Sequence, residues 1–292
     1  MNGAPRPRSF YVLAAIFALF VLFLYGPMIA IVVLSSQGPD GGLVFPMNGV
    51  SLHWFRMLWD DGGSVDISEA FFRSFRLALT VMVLTVVISV LAGLAFRCRF
   101  PGAMLLLYVA IASLIVPSIV VSLGIGFEFR LIDNAIKALG TAWEIESIQS
   151  GFVTALGTFT SGLGAHLTWT LPFGLLIMFA VFNRFDPFYE EAARDLGASR
   201  WQTFVHVTLP IIAPFLIGVA VFGFTLSWDE LARSSQVMGS DNTLPMQLAA
   251  LTTTVTTPEI YALGSVTTGA SLLLVAVLLS VAFAIRRSRA RG

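Results

Sequence analysis

The chain has 292 residues, of which 57% are hydrophobic and only 12% charged, with no formal net charge and a mean hydropathy of +0.85. A typical soluble domain is about 25% charged, so this composition excludes an ordinary soluble globule and points to a membrane protein. A single cysteine, Cys98, excludes an internal disulfide framework and a CxxC metal site, and the lack of a basic stripe interleaved with aromatic residues excludes a nucleic-acid-binding surface.

Residues 10–34, 77–96, 103–127, 165–182, 211–228 and 263–285 are each long and apolar enough to cross about 30 Å of hydrocarbon as a helix. The expected fold is therefore all-α, a polytopic bundle of six transmembrane helices. The first segment is too long for a signal-peptide core and has no A-x-A cleavage pattern, so it is expected to remain in the mature protein. Residues 37–73 follow as a polar external connector with GPDGG and WDDGG runs, in which Trp54 and Trp59 suit the membrane interface. Glu128 and Arg130 close the third segment and are expected to pair. Residues 151–164, rich in Gly, Ser and Thr, are too short and polar to span unaided; they form either an external helix or an extension of the fourth span.

Pro117, Pro172 and Pro214 each remove a backbone hydrogen bond and kink the helix that carries them. Such kinks either shape the bundle or line a passage, for which Ser118, Ser122, Thr168, Thr170, Thr225 and Ser227 would supply hydroxyls. His166 opens the fourth span in AHLTWTLPF, beside Trp169. It is either a hydrogen-bonded structural residue or, because ionisable groups at membrane depth are costly, part of a pathway. Trp228, Asp229 and Glu230 end the fifth span in LSWDE. The adjacent carboxylates beside an indole would attract a cationic solute, although an ordinary solvated loop explains them as well. No span has an acidic residue at its centre, which argues against an ion-coupled secondary transporter. No HExxH or G-x-S-x-G motif indicates a membrane enzyme.

Charge sets the expected orientation. With both termini inside, Arg6, Arg8, Arg97, Arg99, Arg184, Arg194, Arg200, Arg286, Arg287, Arg289 and Arg291 lie on the cytoplasmic side with only Asp186, Glu190, Glu191 and Asp195 as acids. The outer side then holds six basic and thirteen acidic residues, as the positive-inside rule requires of an N-in, C-in protein.

The loop between the fourth and fifth spans, residues 186–210, has dense helical punctuation. Asp186 is a suitable N-cap and Pro187 a suitable first helical residue. Phe188, Ala192 and Leu196 then share one face, and Glu190 and Arg194 are spaced for an i, i+4 pair. Gly197 sits where a left-handed residue ends the helix. Ser199 and Gln202 make an S-x-x-Q capping box for a second helix, along which Trp201, Phe204, Val205 and Thr208 recur at helical spacing. A helix, a sharp turn and a second helix in a loop of a membrane protein read as a docking element.

The same loop carries Glu191-Ala192-Ala193, three residues, Gly197, nine residues and Val207-Thr208-Leu209-Pro210. It resembles the EAA motif of the membrane subunits of bacterial ATP-binding-cassette importers, departing from that pattern only in having Val207 for Ile. The resemblance implies a type I importer permease in the bacterial plasma (inner) membrane: residues 1–73 hold the first span and external loop, 74–285 the core with the coupling loop, and 286–292 a basic tail. It implies contact with an ATPase through Glu190, Glu191, Ala192, Ala193, Asp195, Leu196, Gly197, Ala198, Ser199, Leu209 and Pro210. In that reading Glu191 orients or anchors the helix, the alanines permit close docking and Gly197 allows the turn. Two ATP-binding-cassette subunits, a second homologous permease and a soluble or periplasmic binding protein are the implied partners. The chain has no G-x-x-x-x-G-K-[ST] phosphate loop, so ATP and Mg are expected in the ATPase and no cofactor in this chain. AHLTWTLPF and FTLSWDE further resemble the second permease of the spermidine/putrescine branch. That implies a polyamine or related amine as solute, with His166, Trp169, Trp228, Asp229 and Glu230 along its path. Permeases for ferric iron, thiamine, aminoethylphosphonate and 4-aminobutyrate look similar at this level.

Overall fold

The structure, a computed structural model, describes residues 7–42, 45–59, 67–98, 100–254 and 258–289. Arg6, residues 60–63, Arg99, Arg291 and the side chains of Arg286, Arg287 and Arg289 lie outside what it describes. The described residues form helices joined by turns and irregular loops, with one isolated antiparallel bridge, Gln37 to Val50. In chain order the helices are α1 (Arg8–Leu34), α2 (His53–Met57), α3 (Ile67–Phe96), α4 (Ala103–Ala112), α5 (Ser118–Ala142), α6 (Glu146–Gly151), α7 (Leu163–Asn183), α8 (Phe188–Asp195), α9 (Arg200–Thr203), α10 (Leu209–Trp228), α11 (Leu244–Thr254) and α12 (Pro258–Arg289). A π-helical turn, Thr158–Gly162, leads into α7 and another, Phe204–Thr208, leads into α10.

Among the described residues, five helical stretches are long and apolar enough to cross a membrane: Arg8–Leu34, Ile67–Phe96, Thr158–Asn183, Arg200–Trp228 and Pro258–Val281. The expected third span, residues 103–127, is not one helix. It breaks between α4 and α5 because Pro117 has no N–H and disfavours helical backbone at Val116. Tight turns close α4, from Leu114 N to Ile111 O and Ile115 N to Ala112 O, and Pro117 O accepts from Val120 and Val121 to begin α5. Glu128 and Arg130 make no ion pair with each other, since residues two apart on a helix point to different faces. Of the two readings of residues 151–164, the extension holds from Thr158 onward, where the chain already coils toward α7.

The chain divides into two compact units. One comprises residues 1–68 and 248–270, the other 69–247 and 271–292. In the first, α1 is exposed along almost its whole length and apolar on every side, as expected of a helix whose surroundings are lipid or another chain. In the second, Val90 of α3, Met178 and Phe182 of α7, and Ile212 and Val219 of α10 form one buried cluster. Leu77 and Val81 of α3, Ala165 of α7 and Val237 and Met238 form another. The second cluster shows that the stretch after α10 turns back into its own unit.

That returning stretch, residues 229–243, is partly buried and irregular apart from a 3-10 turn at Ser234–Gln236, and side chains supply several of its hydrogen bonds. Ser122 Oγ donates to Arg233 O at 2.7 Å, Ser161 Oγ to Val237 O at 2.6 Å and Arg73 Nη1 to Asn242 O at 2.7 Å. Just beyond it, Leu244 N donates to Ser74 Oγ at 2.7 Å. Pro172 frees the Thr168 carbonyl inside α7; Ser113, at the α4 end, places its hydroxyl 2.9 Å from that oxygen. Between α3 and α7 the Thr85 and Thr170 hydroxyls bond at 2.7 Å, and the helices approach closely because Gly174 has no side chain. A Cβ there would run into the Ser89 hydroxyl and meet Thr85 Cγ2 at 3.1 Å. Gly174→Val is therefore expected to destabilise the protein by about 1–3 kcal/mol, read as a lower melting temperature of the purified protein in detergent, whereas Gly218→Val, which faces open space, is expected to leave it unchanged.

Candidate functional site

The loop between α7 and α10 is built by its own sequence. Asp186 Oδ1 accepts from Phe188 N at 3.0 Å, and Pro187 already has helical angles of φ −65 and ψ −21. α8 ends at Gly197, whose φ of +87 lies in the region where an L side chain is strained. The capping box then starts α9: Gln202 N donates to Ser199 Oγ at 3.3 Å and Ser199 N to Gln202 Oε1 at 2.8 Å. The second helix continues through the π turn into α10 without a break.

The loop has an anchored base and an open apolar face. Phe188 is 70% exposed, Leu196 90% and Trp201 72%, and Glu191, Ala192, Asp195, Gly197 and Ser199 are exposed beside them, with Ala193 and Ala198 half-buried. At the base, Glu190 is buried and its carboxylate receives both Arg97 Nη1 and Nη2 at 2.9 Å. Thr208 Oγ1, in the π turn, donates to the same carboxylate at 2.6 Å. Arg194, the expected i, i+4 partner, is the more distant at 3.7 Å. The Arg97 guanidinium also lies over the Phe182 and Phe185 rings, at 5.5 and 5.1 Å. So Glu190, and not Glu191, ties the loop to the body: α8 turns residue 190 inward and leaves residue 191 outside. A cleft of about 370 Å³ opens beside this pair, lined also by Leu94, Cys98, Pro187, Glu191 and Arg194. Leu209 and Pro210, the end of the motif, are the half-buried first residues of α10. Arg97 itself, 93 positions away, carries no local signal that would have marked it as the anchor.

The candidate pathway residues lie at the other end of α7 and α10. His166 is buried, with Nδ1 2.8 Å from Ser227 Oγ and Nε2 3.0 Å from Ser234 Oγ. Ser234 Oγ donates to Glu230 O at 2.6 Å; it therefore accepts from His166 Nε2–H, and Nδ1 accepts from Ser227. Both ring nitrogens are satisfied, and the imidazole links α7, α10 and the returning stretch. Trp228 is buried against Phe71, Phe75 and Phe224, away from solvent. Trp169 carries the guanidinium of Arg233 on its face at 5.0 Å. Glu230 is half-buried and accepts the Arg233 backbone N–H at 2.9 Å. Asp229 is the open member of the group, although the protein around it removes enough water to push its carboxyl above the ordinary aspartate value. Of the hydroxyls considered for a passage, Ser122, Thr168, Thr170, Thr225 and Ser227 all bond within the bundle.

The hydrogen bonds from Arg97, reinforced by Thr208 and opposed by burial, hold the Glu190 carboxyl below the usual glutamate value. A depressed folded-state value means the pair stabilises the loop fully at neutral pH and ceases to as pH falls through that value, below about 4.3. Glu190→Gln is expected to lose about 1–3 kcal/mol at pH 7. Its melting temperature should also fall less steeply than the parent's on acidification below pH ~4.3.

Comparisons with known proteins bear on the family and the fold. Residues 85–291 match the family model of the binding-protein-dependent transport system inner membrane component. The spermidine/putrescine transport system permease protein PotC of Haemophilus influenzae is 29% identical over 87% of this chain and 89% of its own length. The putrescine transport system permease protein PotI of Escherichia coli is 28% identical over 92% and 90%. The fold matches a chain in the crystal structure of a bacterial ABC transporter involved in import of the acidic polysaccharide alginate, with a TM-score of 0.58 at 17% identity over 96% of this chain and 98% of that one. A second structure of an alginate ABC transporter, in complex with an alginate pentasaccharide-bound periplasmic protein, matches with the same score at 14% identity over 97% and 93%. With most of its length inside the family model, and with its apolar helices, the chain belongs to the binding-protein-dependent transport inner membrane components and is a multi-pass permease of the inner membrane.

Proposed function

We propose that this permease forms, with a second homologous permease subunit, the alternating-access pathway of an ATP-driven importer, and that residues 186–210 are its coupling element on the cytoplasmic side. The supporting observation is the combination of an anchored base and an open apolar tip: Glu190 is held by Arg97 while Phe188, Leu196 and Trp201 are exposed. A loop meant only to connect two spans has no use for three large exposed apolar side chains on a rigid support, whereas a groove on an ATPase would cover them. Two ATP-binding-cassette subunits, each with its own ATP and Mg, would take one such loop from each permease. The excess of arginine on this side supports the orientation.

A soluble binding protein would deliver the solute on the outer face. The solute is a small amine, with spermidine and putrescine the first candidates because the relatives named above carry those names. Exposed Asp229 and half-buried Glu230 suit the approach of an ammonium group.

In this reading Gly197 matters twice, for its left-handed backbone and for its place beside the docking face. Gly197→Asp adds about 1–2 kcal/mol of backbone strain and a carboxylate at the contact. The variant is expected to insert normally yet lose most solute uptake while the ATPase continues to turn over, measured as uptake and ATP hydrolysis in proteoliposomes. Full uptake by this variant, or failure of the wild-type chain to co-purify with an ATPase, would count against the assignment.

A further inference from the structure

Arg233 is 0% exposed, yet half of its guanidinium is unanswered. Nη1 donates to Thr168 Oγ1, and the group lies flat over Trp169 at 5.0 Å. Nε and Nη2 have no partner. These two are not an arbitrary pair. Nη1 lies on the same side as Cδ, so the N–H bonds of Nε and Nη2 run parallel on the other edge and form the fork that receives both oxygens of a carboxylate.

Among the described residues nothing bonds to that fork, and Arg233 makes no ion pair there. Glu230, three positions earlier, spends an oxygen on the Arg233 backbone N–H instead, and Ser122 holds the Arg233 carbonyl. The residue is thus fixed at its backbone, its ring-stacked face and one nitrogen, with the bidentate edge left open. Trp228 Nε1 is a further buried donor without an acceptor. Glu230 acts on the guanidinium through charge without bonding to it, a buried donor without an acceptor is strongly disfavoured, and Nε, Nη2 and Trp228 Nε1 all call for an acceptor. Within four residues stand Asp229 and Glu230, carboxylates that could take a cation.

We propose that Arg233 is an oxyanion-binding residue of the transport pathway, and that the solute is an amine that also bears a carboxylate or similar oxyanion, its acid group on the Arg233 fork and its ammonium at Asp229 and Glu230. The inference rests on the importer reading above and extends the solute class, since a polyamine meets only the acidic half of this arrangement. The fork is sealed in this conformation, so the proposal requires that the stretch carrying it move off α7 during the transport cycle. The same fork chemistry is open to an acidic side chain of the assembled importer, and the experiment separates the two sources.

Putrescine and 4-aminobutyrate are a matched pair of probes, with the carboxylate of the second standing in place of one ammonium of the first. Uptake of each, labelled, is measured in membrane vesicles carrying the complete importer with wild-type permease, Arg233→Gln or Arg233→Lys, the amount of permease being checked by immunoblot. The proposal expects ATP-dependent uptake of 4-aminobutyrate by the wild type. It expects a loss of about tenfold or more in both variants, with any putrescine uptake kept within about twofold; lysine keeps the charge but lacks the fork. Wild-type uptake of putrescine alone overturns the inference and leaves the polyamine reading standing, without recourse to any variant. Equal loss of both solutes in the variants assigns the fork to an acidic side chain of the assembly and overturns the solute assignment. An unchanged 4-aminobutyrate rate in both variants overturns it as well, and uptake of neither solute by the wild type overturns this inference together with the small-amine reading.

Discussion

Peptide groups in hydrocarbon have no water to bond, so each must find its partner within the protein. This constraint explains where the chain is regular and where it is not. α1, exposed to its surroundings, is an unbroken helix, whereas in the second unit the irregular residues 229–243 lie where other elements can serve them. The proline in α7 frees Thr168 O, and Ser113 from the break between α4 and α5 sits 2.9 Å from it. One departure from helix thus answers another. Residues 229–243 depart furthest, and Ser122, Ser161 and Arg73 hold their carbonyls from α5, the π turn and α3. Polar side chains that resemble pathway lining in the sequence are therefore largely occupied in holding backbone.

The coupling loop obeys the opposite condition, since its apolar tip is open to partners rather than packed. Its rigidity comes from below. Arg97 directly follows α3, Glu190 lies in the first turn of α8 and Thr208 lies in the π turn before α10. The carboxylate therefore joins three elements at one point. α3 and α10 also meet through the cluster of Val90, Ile212 and Val219. On the proposed reading, a push on α8 reaches both helices through a charge-assisted bidentate bond, which resists rotation better than a single contact.

Much of this was legible in the sequence, and the division follows the range of the interactions. Asp186, Pro187, Gly197, Ser199 and Gln202 act on backbone within three residues of themselves, so their spacing sufficed to draw the helix, turn and helix as they stand. Spans were readable from apolar length, except where Pro117 broke one whose composition looked continuous. The Arg97–Glu190 pair spans 93 positions, and the nearer Arg194 competed for the same carboxylate on paper. His166 bonds serines 61 and 68 positions away. Neither π turn has a local cue, because a widened turn reflects how the helix meets its neighbours rather than which residues it contains.

Two arginines in the second unit show what a structural guanidinium needs in this fold. Arg97 rests on Phe182 and Phe185, has Thr208 nearby through the shared carboxylate, and meets Glu190 with two bonds of 2.9 Å. Arg233 rests on Trp169 and has Thr168 at Nη1, so ring and hydroxyl are again provided. A bonded carboxylate is what it lacks among the described residues, although it is the more deeply buried of the two. Had Arg233 been retained only to brace residues 229–243, its backbone bonds to Glu230 and Ser122 would serve with an uncharged side chain in its place. Burial of a guanidinium with no carboxylate bonded to it is hard to explain by packing, because replacing it with an apolar residue of similar volume is often neutral or stabilising. The difference between the two sites is therefore one of completeness: the first is closed among the described residues, and on the proposed reading the second is completed by the solute.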